Sequence, residues 1–167
     1  VLNKSKMLFY GHSPRNPNQV ICHSGLRLQD SGRCRKHLVI RRSSGHLGGT
    51  WQMVSGRIEH GEKGWEAALR EIKEETGLVT DRFYSANMVE AFYEVNQNCI
   101  NLIPVFVAFV DAEQEVRLSH EHSEYRWITA DEADDFLAFQ QQKEMLTKIE
   151  LLFVERKPNP MLEIKFK

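Results

Sequence analysis

Cysteine is scarce in this chain. Its three residues, Cys22, Cys34 and Cys99, are odd in number and lack the spacing of a metal-ligand set. A disulfide-stapled scaffold is thereby excluded, and reduced thiols in a cytoplasmic protein are expected. Long hydrophobic runs are missing too: no segment approaches the roughly 20 apolar residues of a bilayer span, and the first residues show no signal-peptide pattern, so no membrane partner is expected. Nor is there an excess of charge of one sign. Lys plus Arg number 22 and Asp plus Glu 23, a formal net charge of −1, which gives no global drive toward a polynucleotide. Repeats, low-complexity tracts and interdomain linkers are absent, and 41% apolar with 27% charged residues is ordinary for a globular protein. A single domain over residues 1–167 is expected.

The apolar pattern sketches the elements. Gly11 to Asn18 is turn-rich. Val20 to Leu28 reads as a strand, Asp30-Ser31-Gly32 as a turn, and His37 to Ile40 as a strand ending at Arg41-Arg42. A polar, glycine-rich loop runs from Ser43 to Gly49. A helix follows over about 64–76, then paired strands at Met88–Val95 and Ile100–Val110. The run from Ile103 to Val110 is apolar throughout, as in a strand covered on both faces, and Pro104 within it predicts a strand start or an edge. Tyr125 to Ile128 is a short last strand. Thr129-Ala130-Asp131-Glu132 fits a capping box that opens a helix to about residue 154, with Phe136, Leu137, Leu146, Ile149, Leu152 and Phe153 as its packing face. The tail after Pro158 alternates weakly, as an edge strand or a partner-binding segment would; monomer and homodimer both remain open. Mixed strands with a central and a C-terminal helix give an α/β class.

Most of the chemistry is concentrated between Gly56 and Leu78, GRIEHGEKGWEAALREIKEETGL. A loop with Gly61 and Gly64 feeds a helix whose Trp65, Ala68, Leu69, Ile72 and Thr76 form an apolar stripe. Gly77 is placed to stop that helix. Glu71, Glu74 and Glu75 gather within one turn beside the stripe. Three glutamates alone would fit a solvated face. Set at the edge of a buried one, they would repel each other unless a cation intervened, and oxygen-only ligands suit Mg²⁺ or Mn²⁺ rather than Zn²⁺. Arg70 is within reach of Glu62 and can fix the loop against the helix.

This segment resembles the signature of the Nudix hydrolases, Gly-x5-Glu-x7-Arg-Glu-U-x-Glu-Glu-x-Gly-U with U aliphatic. Gly56, Glu62, Arg70, Glu71, Ile72, Glu74, Glu75, Gly77 and Leu78 meet every fixed position. The resemblance implies an α/β/α sandwich around a mixed β-sheet, the Nudix fold. It also implies metal-dependent hydrolysis of a nucleoside diphosphate linked to another moiety, with a small-molecule nucleotide as substrate. Glu71, Glu74 and Glu75 are the implied metal ligands, the Gly56 carbonyl a further one, and Arg70 with Glu62 a positioning pair.

A second acidic position, Glu121, lies in Leu118-Ser119-His120-Glu121-His122-Ser123-Glu124-Tyr125-Arg126-Trp127. Its E-H-x-x-Y-x-W context is similar to one in which Nudix enzymes place a metal ligand or general base. A surface loop with incidental Glu and His is the bland alternative, and His120 and His122 read as structural or substrate-facing. Arg41, Arg42, Trp51 and Tyr93 are candidate substrate contacts. Each has a plain structural reading as well: solvated strand end for the arginines, packing for the aromatics. Trp51-Gln52-Met53-Val54-Ser55-Gly56 resembles triphosphate pyrophosphohydrolases acting on deoxy-ATP or dihydroneopterin triphosphate, which makes a nucleoside or pterin triphosphate the first expected substrate. The segment around Glu121 looks like dinucleoside polyphosphate hydrolases, the second. A non-catalytic nucleotide sensor is the alternative of another class, disfavoured because no signature carboxylate is missing.

Overall fold

The computed structural model describes the backbone of residues 19–27 and residues 36–45, 47–96 and 98–166 in full. The expected turns at 11–18 and 30–32 lie outside the described residues. Two sheets carry the fold. In the larger, mixed sheet the order is β4 (Val54–Arg57), β1 (Gln19–Arg27), β6 (Cys99–Val110), β5 (Thr80–Glu94), with β1 and β6 parallel and the other pairs antiparallel. The smaller sheet has β2 (His37–Arg42) between β3 (Trp51–Gln52) and β7 (His122–Ile128), all antiparallel. Helix α1 (Gly64–Thr76) covers one side; α2 (Ala133–Phe136) and α3 (Gln140–Ile149) pack on the other.

Alternation assigns each strand residue to a layer. Phe106, Ala108 and Val110 of β6 join Leu38, Ile40, Ala67, Ala68 and Ile72 in the core under α1. The intervening Val105, Val107 and Phe109 meet Met145, Ile149 and Phe153 on the opposite side. The apolar stripe on α1 is as expected: Ala68 and Ile72 are fully buried, with Trp65 and Leu69 packed beside them. Gly77 ends the helix in the left-handed conformation at φ 71°, its N–H donating to the Lys73 carbonyl.

Three expectations are corrected. Pro104 is neither at a strand start nor on an edge strand. It lies inside β6 opposite Val89, at a register shift in the β5 pairing and one residue before the ladder with β1 begins at Val105, so its missing N–H breaks no bond there. The strand expected from Met88 begins at Thr80 and bends through the same bulge, where Asn87 takes φ 54°. The single helix to 154 is four pieces: a 3₁₀ turn at Ala130–Glu132, α2, α3 and a π-helical turn at Glu150–Glu155. Glu132 does cap it as the sequence suggested, accepting from the Thr129 N–H at 2.7 Å. Leu137, however, is extended and forms a bridge to Trp51, which breaks the helix, and Leu152 faces outward. The tail adds one bridge, Glu163 to Tyr84, and packs Ile164 and Phe166 onto the α1 core.

Glu90 is an unusual occupant of β5. It is 4% exposed, and its Oε2 has no hydrogen-bond partner. Burial pushes its carboxyl up to about 7. Below its ordinary pKa it is protonated whether the chain is folded or not. Between there and about 7 the folded state keeps a proton that the unfolded state releases, so stability falls as pH rises, and the deficit is complete above 7. Glu90→Gln removes this dependence. Urea melts at pH 5 and pH 8 are expected to show the variant gaining on the parent by roughly 2–3 kcal/mol over that interval; a constant difference would contradict it.

Candidate active site

The helix turn carrying Glu71, Glu74 and Glu75 meets the end of β4 and the loop before β7. Gly56 makes the first contact possible. A Cβ built there would stand 1.9 Å from Cδ of Glu71, so the carboxylate lies where any other residue's side chain would be. Arg70 then organises the group: its Nε donates to Glu62 Oε1 at 3.0 Å and its Nη1 to Glu71 Oε1 at 2.8 Å and Glu74 Oε2 at 3.0 Å. Its Nη2 donates to the Arg57 carbonyl at 2.8 Å and to Glu62 Oε2 at 3.1 Å. Glu62 also accepts from the Glu59 N–H at 3.0 Å, closing the loop on itself. The Arg70 hydrogen bonds hold Glu62 below the usual carboxylate range and raise Arg70 itself.

The inner carboxylates behave differently. Burial raises Glu71 in spite of Arg70. Glu75 is pushed up to about 8, first by burial and then by the charges of Glu71 and Glu121. Its Oε2 has no hydrogen-bond partner. His122, fully enclosed, places Nε2 3.9 Å from Glu75 Oε1, and burial together with Arg42 lowers its pKa, so it supplies little countercharge. Arg42 Nη2 lies 3.4 Å from Glu121 Oε2, and the Ser43 N–H donates to the Glu121 carbonyl at 2.8 Å, tying the loop before β7 to the end of β2.

The site thus gathers Gly56, Glu62, Arg70, Glu71, Glu74, Glu75, Arg42 and Glu121. Three other candidates stand apart. Arg41 points to the opposite face of β2, donating to Glu124 Oε1 at 2.6 Å and to the Gly49 carbonyl at 3.1 Å. Trp51 packs edge-on against Phe136 at 5.5 Å. Tyr93 is exposed near the β5–β6 turn, its hydroxyl donating to Asn98 Oδ1 at 2.6 Å. His122 backs the Glu75 carboxylate, and the Ser119 N–H donates to the main-chain carbonyl of Glu75 at 3.0 Å. The sequence context made His122 visible but gave it no address.

Among the described residues no three His, Cys, Asp or Glu side chains form a ready-made metal cage, and Arg70 bridges Glu71 and Glu74. The donor set still fits a hard divalent cation. It is all oxygen, clustered, repelling, and includes a buried carboxylate oxygen with no donor.

The model of the NUDIX domain matches residues 24–149. This chain therefore belongs to the Nudix family, whose hydrolases generally need a divalent metal, and it is a pyrophosphohydrolase acting on acid anhydrides. Its sequence is 33% identical over 101 residues to the mouse asymmetrical bis(5'-nucleosyl)-tetraphosphatase, covering 58% of this chain and 67% of that protein. Among solved structures, the binary complex of a C. elegans Ap4A hydrolase superposes with a TM-score of 0.65 at 21% identity, over 80% of this chain and 96% of the other. The E. coli dihydroneopterin triphosphate pyrophosphohydrolase gives 0.63 at 20% identity, over 84% and 97%. Both likenesses show the fold. No helix among the described residues is long and apolar enough to cross a membrane.

Proposed function

We propose that the chain cleaves a dinucleoside polyphosphate asymmetrically, with Mg²⁺ or Mn²⁺ held by Glu71, Glu74, Glu75, Glu121 and the Gly56 carbonyl. The observation that carries the substrate class is the likeness to the bis(5'-nucleosyl)-tetraphosphatases over 101 residues, which the Ser119-to-Trp127 context supports. A nucleoside or pterin triphosphate, cut to monophosphate and pyrophosphate, is the second reading; the Trp51-to-Gly56 context favours it. Bound there, a divalent ion screens the phosphate charge and acidifies water. Arg42, one-third exposed beside Glu121, offers a forked donor to a phosphate oxygen pair. Glu121, half exposed in its loop, is placed to take a proton from an attacking water. Arg70 keeps Glu62, Glu71 and Glu74 in register and does not need to touch substrate.

A panel of dinucleoside polyphosphates, nucleoside triphosphates and dihydroneopterin triphosphate, with metal and with chelator, tests this reading. ATP plus AMP from diadenosine tetraphosphate, lost on chelation, is the expected result. Pyrophosphate from a triphosphate alone would move the assignment to the second reading. Glu121→Ala is expected to lower kcat by about 100-fold or more on the best substrate. An unaltered rate would return Glu121 to an ordinary loop position.

A further inference from the structure

The turn end of the β5–β6 hairpin carries a sheet face that is apolar and bare. Val89 stands opposite Pro104, Ala91 opposite Leu102 and Tyr93 opposite Ile100, so six side chains share one face in two columns and three rows. None of the six is charged. The alternate residues turn to the other face, where Phe92 and Ile103 pack with Leu137 and Leu146. Exposure separates the two faces: Val89 is 58% exposed, Tyr93 56%, Ile100 67% and Leu102 63%, against 2% for Ile103.

The bare face begins where α1 ends its cover. The same side of β6 continues as Phe106 and Ala108 in the core under α1. At Gly64, the first residue of α1, a Cβ would lie 3.6 Å from Pro104 Cγ and 3.8 Å from Phe106 Cζ. From Leu102 to the turn, nothing among the described residues continues that layer.

Single exposed apolar side chains are ordinary. Six in register expose on the order of 500 Å², near the top of the roughly 300–600 Å² of the largest patch on a typical monomer. That is more than half of the roughly 800 Å² per partner that a standard interface buries, and Val95 in the turn, 73% exposed, extends it. A second copy of the chain matches such a face, because an uncharged surface meets itself with no like charges opposed. α1 then sets the orientation. Facing sheets pack about 10 Å apart, the level at which α1 already lies over each sheet. A second hairpin running the same way would drive its sheet into that helix, whereas one running the opposite way enters from the turn end. A twofold axis across the strands sets the Tyr93–Ile100 row on the Val89–Pro104 row of the other copy, large side chains over small. The two Ala91–Leu102 rows meet at the axis.

We propose that this face of the β5–β6 hairpin is a self-association surface, through which two copies of the chain pair with their hairpins antiparallel about a twofold axis. The proposal is independent of the substrate assignment.

Sedimentation equilibrium of the full chain tests it. The mass of two chains is expected at about 100 μM, falling toward one on dilution, with a melting temperature that rises with concentration. Leu102→Lys opposes two ammonium groups at the axis and Leu102→Glu two carboxylates, so each variant should associate about 100-fold more weakly or worse. Leu102 is already exposed in the single chain, so both variants should keep the dilute parent's melting temperature. An equimolar mixture of the two variants opposes unlike charges and should recover the mass of two chains. A parent that stays monomeric would overturn the proposal and leave the face to another occupant. Association that persists in both variants would place any dimer contact elsewhere, and a mixture that stays monomeric would overturn the twofold pairing of this face.

Discussion

Glu75→Gln is expected to lower kcat by at least about 100-fold at saturating Mg²⁺ while the melting temperature holds or rises. The two effects have one cause. Glu75 is a carboxylate enclosed by the helix, the β4 end and the loop before β7, repelled by Glu71 and Glu121, with one oxygen unpartnered. Arg42 and the Ser55 backbone favour its charge, but burial and the two neighbouring carboxylates outweigh them. The amide keeps its volume and removes the desolvation and repulsion that push its pKa up to about 8. If the charge serves only a bound cation, turnover collapses while the scaffold is unharmed. Unchanged turnover would dismiss Glu75 as a ligand; a large drop in melting temperature would make it structural.

Gly56→Ala is the second large effect, and its origin is steric. The added methyl would occupy the volume of the Glu71 carboxylate, with Cδ and Oε1 of Glu71 at 1.9 and 2.1 Å. Glu71 would have to leave, and its 2.8 Å bond to Arg70 would go with it. Overpacking of this kind costs about 1–3 kcal/mol, visible as a lower urea midpoint. The displaced carboxylate should cost activity by about 100-fold. The double variant Gly56→Ala with Glu71→Ala relieves the clash, so it should recover stability without recovering turnover. If the single variant kept full activity, Glu71 would have no part in the site.

Much of this site was legible because its parts are local. Gly56, Glu62, Arg70 and the three glutamates lie within 23 consecutive residues, where helical spacing and loop reach fix their geometry. Glu121 needed a second context, and only tertiary pairing shows it beside Arg42. Arg41 and Arg42 are neighbours in sequence, and strand alternation sends them to opposite faces, one to Glu124 and one to Glu121. That distinction requires the register. The C-terminal helix was overextended because its apolar pattern continues through Leu137. There a bridge to Trp51 wins over helical propensity, and no local signal announces it. Glu90 gave no sequence signal at all, since an ordinary polar residue becomes notable only when buried without a partner.

The position of β1 has a consequence for how the chain acquires its structure. β1 lies in the middle of the larger sheet, yet its parallel partner β6 is reached only at Val105, after both arms of the smaller sheet's first hairpin, α1 and β5 have been made. The β5–β6 hairpin and α1 can form from neighbours alone. The Ile21–Val105 pairing must close a long loop before it returns any stabilisation. During synthesis the N-terminal segment therefore waits, with its strand edges unpaired on the β6 side, until β6 emerges. Release of the chain before β6 would leave β1 open on one side, β5 without its partner and α1 without Phe106, Ala108 and Val110 beneath it, a species prone to aggregate rather than a smaller enzyme.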